Sequence, residues 1–389
     1  MNKKLLIPVC IISLLCALML AGCDDSTGEA LNELGETIAE INDKIEETPQ
    51  INITEAEPEE ASAETFEEIK MPEETAEETS EEISEETAET VAETPDENAK
   101  KVVDLIFFMG QSNMAGCGGN AAYAPAVPEE HGYEFRAISD PTRLYPITEP
   151  FGVNENNLNA IMDLPGAKKG SLVSSFVNTY YELTKTPVIA VSASAGATDT
   201  EFWMSEAVKN DFVERIKRAV VWLEANNYEI RYKYVVWLQG ESDAIDNTST
   251  DRYIQNMDNI IRPMFIEGVE KVFFITPGRT ITRSSYFDNI IAAQIKMSRE
   301  SSYYALGTTL LSGISTEYMV DEWHYNQTVL NLLGKECANS VASYTINRKE
   351  CTLYDYKNKT TYIPDVDHVG NDEVEPLDLT KCDLKTKLD

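Results

Sequence analysis

Histidine is scarce in this chain: 389 residues contain only His131, His324 and His368. Cysteine is little more abundant, with seven in all, and three of those (Cys10, Cys16 and Cys23) fall within the first 23 residues. The other four, Cys117, Cys337, Cys351 and Cys382, form no Cys-x-x-Cys pair and match no zinc spacing. Both shortages argue against a zinc or histidine-rich metal centre, and no metal or organic cofactor is expected. Positive charge is also short, with 32 Lys and Arg against 67 Asp and Glu, and no basic stripe. Nucleic acid is therefore not an expected partner.

The acidity is localised. Residues 24–99 hold 28 acidic residues against only Lys44 and Lys70, a net of −26; Lys3, Lys4 and Lys100 add +3, which leaves −12 of the total −35 for residues 101–389. Within that acidic stretch, EETAEETSEEISEETAET is of low complexity. Like charges and little apolar surface keep such a chain extended and solvated. Residues 23–100 are read as a disordered spacer. Leu31, Leu34, Ile38, Ile41 and Ile45 recur at intervals of three and four, which suits a short transient helix interrupted by Gly35.

Residues 1–22 read as an export signal: Lys3 and Lys4, an apolar run from Leu5, then small residues. The ending Leu20-Ala21-Gly22-Cys23 resembles a bacterial lipoprotein signal. That resemblance implies cleavage before Cys23, lipid on Cys23, and a protein held at the outer side of a cell membrane. An uncleaved anchor is the alternative, but Leu5–Ala21 is at the short limit for a span that needs about 20 apolar residues.

From residue 101 the pattern changes. Val102–Phe108 is an almost wholly apolar run that suits a strand buried on both faces. Further strands are expected at Pro187–Ser192, Tyr234–Leu238, Lys271–Thr276 and around 303–311. Helices are expected over 171–185, 205–227, 250–265, 285–299 and 326–343, and residues 117–168 read as a long loop. Strand and helix alternate, which implies a mostly parallel sheet covered on both faces. The domain is placed at 101–347, with 348–389 as a C-terminal extension packed on it. Cys351 could pair with Cys382 in an oxidising compartment, and free thiols are the alternative.

In open α/β sheets, sites gather at the C-terminal ends of the strands. Four polar groups stand at such places: Ser112, Ser194–Thr198, Gln239–Asp243 and Asp321–His324. A serine hydroxyl needs a base to become a nucleophile, and His324 is the candidate. Asp321, three residues earlier, can orient the imidazole and stabilise its charge. A tetrahedral intermediate needs donors for its oxyanion, for which the N–H groups of Ser112 and Gly196 and the amide of Gln239 are candidates.

GQSNMAG at 110–116, SAGAT at 194–198, WLQGESD at 237–243 and DEWH at 321–324 together resemble the SGNH hydrolase superfamily. The nearest branch is that of the sialate O-acetylesterases and acetyl xylan esterases, carbohydrate esterase family six and its relatives. The resemblance implies a flavodoxin-like α/β/α sandwich and the removal of acetyl groups from an acetylated carbohydrate, without a cofactor. It carries the nucleophile to Ser112, its partners to Asp321 and His324, and the oxyanion donors to Gly196 and Gln239. Gln111 stands where the superfamily usually has an acid, and the usual oxyanion asparagine is absent. Residue 114 is Met, so the run is not the GxSxG of α/β-hydrolases.

The remaining candidates have plainer readings beside them. Gln111, Asn113, Glu241 and Asp243 are expected to support the site, the two carboxylates as buried hydrogen-bonded partners. Trp203, Trp323 and Arg143 are candidate substrate contacts, against core or solvated roles. A lipase or thioesterase acting on another ester, and a glycan-binding lipoprotein without catalysis, are the rival functions.

Overall fold

The computed structural model describes residues 99–365, 367–370 and 373–382. The expected export signal, the expected lipidation site Cys23, the expected spacer as far as residue 98 and the last seven residues lie outside the described residues.

The chain enters on β1 (Lys101–Gly110), which leads into a single helical turn, α1 (Ser112–Ala115). Next come two short strands, β2 (Gly132–Phe135) and β3 (Leu144–Pro146), then α2 (Val173–Thr184) and β4 (Val188–Ser194). Helices α3 (Thr200–Met204) and α4 (Glu206–Ala225) precede β5 (Tyr228–Leu238). The pattern repeats with α5 (Glu241–Ile245), α6 (Thr250–Ile266) and β6 (Lys271–Ile275). It closes with α7 (Asp288–Glu300), β7 (Tyr304–Thr308) and α8 (Gln327–Asn347).

Seven strands form one sheet in the order β3-β2-β4-β1-β5-β6-β7. All neighbours are parallel except β3, which runs antiparallel to β2. Without the β2–β3 edge, the order is the 2-1-3-4-5 of flavodoxin-like sheets, whose direction of winding reverses beside the first strand. The apolar run of β1 has a direct use in this arrangement. Leu105, Phe107 and Met109 point into the core under α4, α6 and α7, while Ile106 and Phe108 point into the core under α2 and α8. A strand buried on both faces has no place for alternating polar residues.

Two parts differ from the sequence expectation. Residues 117–168 were expected as a loop, yet they contain β2 and β3, which extend the sheet beyond β4. Their four and three residues include Glu134 and Pro146 and carry no readable period. The chain beyond α8 is also built, with β8 (Glu350–Cys351), β9 (Leu353–Asp355), β10 (Thr360–Tyr362) and β11 (His368–Val369) in two small sheets. Tyr362 is buried in the α4-side core, and a buried ion pair joins Lys271 on β6 to Glu350 at 2.6 Å. Cys351 and Cys382 are both free thiols, so the pairing considered above is not made.

Candidate active site

Register brings the strand ends to one level. Gly110 lies opposite Ser194 on β4 and opposite Leu238 on β5. The segments beginning at Gln111, Ala195 and Gln239 therefore leave the sheet side by side. Ala195 N donates to Gly110 O at 2.9 Å and Gln111 N to Leu238 O at 3.0 Å. A Cβ on Gly110 would lie 2.0 Å from Leu238 O, and its φ is +144°, so only glycine lets β1 turn so close to β5. The chain then winds into α1, closed by Ala115 N to Gln111 O at 2.8 Å. Ser112 heads this turn, with 8% of its surface exposed. The first N–H groups of a helical turn have no partner within it, which leaves them facing any ligand at that end.

The residues on either side of Ser112 tie the turn to its surroundings. Gln111 Oε1 accepts from Gly240 N at 3.3 Å and Ser242 N at 3.2 Å, across the point where the winding reverses. Asn113 Nδ2 donates to Glu241 Oε1 at 2.7 Å and to Trp323 O at 3.2 Å. Asn113 Oδ1 accepts from Tyr325 N at 3.3 Å. The side chain next to Ser112 thus grips the backbone on both sides of His324. Gly118 makes the same approach, since a Cβ there would be 2.8 Å from His324 Cβ.

His324 sits on a loop pinched by a bridge between Met319 and Tyr325. Asp321 organises this loop. Its Oδ1 accepts from Trp323 N and His324 N, both at 2.9 Å, and its Oδ2 lies 2.7 Å from His324 Nδ1. Partial burial pushes the Asp321 carboxyl up, but the hydrogen bond and charge of His324 and the two backbone N–H groups outweigh it and hold the carboxyl below its ordinary range. An ionised Asp321 only accepts, so Nδ1 carries the proton and Nε2 is left as a base.

The buried carboxylates after β5 differ from each other. Asp243 is satisfied by Thr200 N at 2.9 Å, Thr200 Oγ1 at 2.5 Å and Gln239 Nε2 at 2.6 Å. Glu241 is fully buried, Asn113 reaches only its Oε1, and Oε2 has no hydrogen-bond partner. Burial raises the Glu241 carboxyl, with Asn113, a backbone N–H and the charge of His324 pulling the other way.

One expected oxyanion donor, Gln239, is corrected, and a second, Gly196, has its N–H engaged. Gln239 is wholly buried, and its amide donates to Thr198 O at 3.0 Å and Asp243 Oδ2 at 2.6 Å. It bolts the end of β5 to the loop after β4 and has no hydrogen free for a substrate. Gly196 lies beside Ser112, and a Cβ built on it would be 3.6 Å from Ser112 Cβ. Its N–H, however, is held by Asp163 Oδ1 at 2.6 Å. Asp163 lies in a loop without a motif, so no sequence signal pointed to it.

Of the expected substrate contacts, Trp203 is corrected, whereas Arg143 is exposed. Trp203 is fully buried, donates from Nε1 to Thr198 Oγ1 at 3.0 Å, and meets Trp237 edge-on at 5.1 Å, so it is a core residue. Arg143 lies over the Tyr145 ring at 4.5 Å and pairs with Asp140 at 3.3 Å, within its own hairpin. Trp323 is half-buried against Tyr286 and Phe287, with ring centroids 6.1 and 6.4 Å apart. Among the described residues, no cluster of three or more His, Cys, Asp or Glu side chains is arranged to hold a metal ion.

The chain is a carboxylic ester hydrolase, as a family match over most of the sheet-bearing domain shows. More narrowly, the chain belongs to the carbohydrate esterases of the sialic acid-specific acetylesterase family, whose profile matches residues 102–343. Similar solved structures include a protein from Arabidopsis thaliana, 19% identical over 62% of this chain and 97% of that one, with a TM-score of 0.43. NanS is 12% identical over 64% of this chain and 99% of its own, with a TM-score of 0.41. A variant of an acetyl-xylooligosaccharide esterase from Geobacillus is 11% identical over 61% and 94%, with a TM-score of 0.35. A search of curated proteins finds no match.

Proposed function

We propose that the protein is a serine esterase that removes O-acetyl groups from carbohydrate, with Ser112 as nucleophile and His324 as its base. The observation that carries this reading is the position of the Asp321–His324 pair. It is formed at 2.7 Å, on a loop whose backbone is held by the residue next to Ser112. His324 Nε2 takes the Ser112 proton as Oγ attacks the ester carbonyl, and Asp321 stabilises the imidazolium that forms. The oxyanion faces the N–H groups at the head of α1. The protonated His324 gives its proton to the departing sugar hydroxyl. Water then attacks the acetyl-enzyme with His324 again as base; the bond to Ser112 Oγ breaks, His324 returns the proton to Oγ, and acetate leaves.

The test is acetate release from a panel that includes acetylated xylan and O-acetylated sialic acid, comparing wild type with Ser112→Ala. A loss of at least about a thousandfold is expected. Equal release by both proteins overturns the mechanism. Activity confined to lipid or thioesters favours a different ester substrate, and glycan binding without any turnover favours a binding protein.

We also infer that Cys23 carries lipid and holds the domain at the outer face of a cell membrane. The basic, apolar and small-residue pattern of residues 1–23 supports this. Fractionation of cells producing the full chain tests it: Cys23→Ser should move the protein from the membrane to the soluble fraction.

A further inference from the structure

The Gly196 N–H points to a second level of control at the site. Its one proton is taken by Asp163 Oδ1 at 2.6 Å, a charge-assisted bond. Asp163 Oδ1 lies 3.1 Å, and Ser112 Cβ 3.6 Å, from the position a Cβ on Gly196 would occupy, so a methyl group there would touch both. The carboxylate therefore sits beside the nucleophile, on a main-chain donor that an ester oxyanion can use. Two anionic oxygens cannot share one N–H at such a distance, because like charges repel steeply in a dry site.

The surroundings allow that carboxylate to move without losing its counter-ion. Asp163 Oδ2 is 2.9 Å from Lys168 Nζ, with both side chains only 4% exposed. Lys168 is itself fixed, donating to Ser194 Oγ at 2.6 Å and Ser194 O at 3.2 Å. Between Asp163 and Lys168 the chain turns at Gly166, which has φ +76° and no atom within 4 Å of an added Cβ. Met162 and Leu164, the neighbours of Asp163, are 36% and 48% exposed. Of these three neighbours, Met162, Asp163 and Leu164, Asp163 alone is committed inward.

We propose that Asp163 gates the oxyanion site: its carboxylate occupies the Gly196 N–H in the resting enzyme and gives it up to the ester carbonyl, while Lys168 retains the displaced carboxylate. Asp163 acts through Gly196 and is a positioning residue. The proposal rests on the serine-esterase reading above. It explains how Gly196 can stand beside Ser112 and yet have no free N–H before substrate arrives.

Product acetate separates a gate from a structural prop, because acetate is a carboxylate that competes for the same donor. Wild type, Asp163→Asn and the pair Asp163→Ala with Lys168→Met are compared in the full chain. The double variant avoids leaving a buried ammonium unpaired. The readouts are kcat and KM on 4-nitrophenyl acetate and on an acetylated sugar, inhibition by sodium acetate, and thermal unfolding. A gate predicts a three- to tenfold rise in kcat/KM, mainly through KM, and acetate inhibition tightened by a similar factor. Folded variants that lose kcat/KM, or whose acetate inhibition is unchanged, overturn the proposal. Ser112→Ala in the same series isolates the underlying reading: if wild type has no Ser112-dependent turnover, the esterase mechanism fails, and the gate with it.

Discussion

The turn that carries Ser112 and the loop that carries His324 are built on opposite principles. Ser112 follows the central strand of the sheet, within a turn whose four residues are all buried. Its position is dictated by strand register and by Gly110 against β5. His324 lies on no strand. Its side chain is 17% exposed and that of Asp321 39%. Side-chain hydrogen bonds hold it: Asp321 from within, Asn113 from the serine turn, and Glu322 from outside, through Thr282 N at 3.0 Å. Ser112 is placed by the fold, whereas His324 is placed by a handful of polar contacts that can be cut singly.

Cutting those contacts in turn tests the contrast. The largest effect is expected from Asp321→Asn, which presents an amide N–H where Nδ1 needs an acceptor. Steady-state kcat/KM should fall by about a thousandfold or more, with the fold retained by far-ultraviolet circular dichroism. Asn113→Ala severs the link between the two regions and orphans Glu241 Oε1, Trp323 O and Tyr325 N. Activity should drop by about ten- to a hundredfold, and urea unfolding should show a loss of about 1–3 kcal/mol. If Asn113→Ala changes stability but not kcat/KM, the His324 loop is placed by something other than the serine turn.

The third test is a pH dependence. Burial raises the Glu241 carboxyl, so the folded state holds that proton more tightly than the unfolded state. The resulting stability is complete below the ordinary carboxylate range and is lost as pH rises through the raised value. Glu241→Gln should flatten the stability profile across that window, by at most about 1.4 kcal/mol per pH unit, since one proton is involved. Denaturant midpoints measured from pH 4 to 9 would show it. The smallest effect belongs to Glu322→Ala, which releases the exposed clip to Thr282 and should alter kcat/KM by less than about threefold.

Legibility in the sequence followed the same division. β1, β4, β5 and β6 are read from apolar runs because each is buried on both faces. β5 still began earlier than expected, at Tyr228, because its first six residues are only partly buried and alternate with charge. β2 and β3 are too short to show a period. Ser112, Asp321 and His324 were named from short motifs whose geometry is local. Which of the expected oxyanion donors is free was not legible, because that depends on a carboxylate 33 residues earlier in the chain, as Asp163 is to Gly196. Gln239 failed for a related reason: its place after β5 was readable, but the direction of its amide is decided by Asp243 and Thr198 inside the core.

The course of β1 has one more consequence. The strand begins at Lys101 and ends beside Ser112, so the domain is entered at the end of the sheet remote from the serine. Ten residues of strand separate the two by roughly 30 Å. A bead, a fused protein or a labelled surface joined ahead of residue 99 would grip the domain from behind. The loops around Ser112 and His324 would face outward, open to a polymer too large to reach around the support.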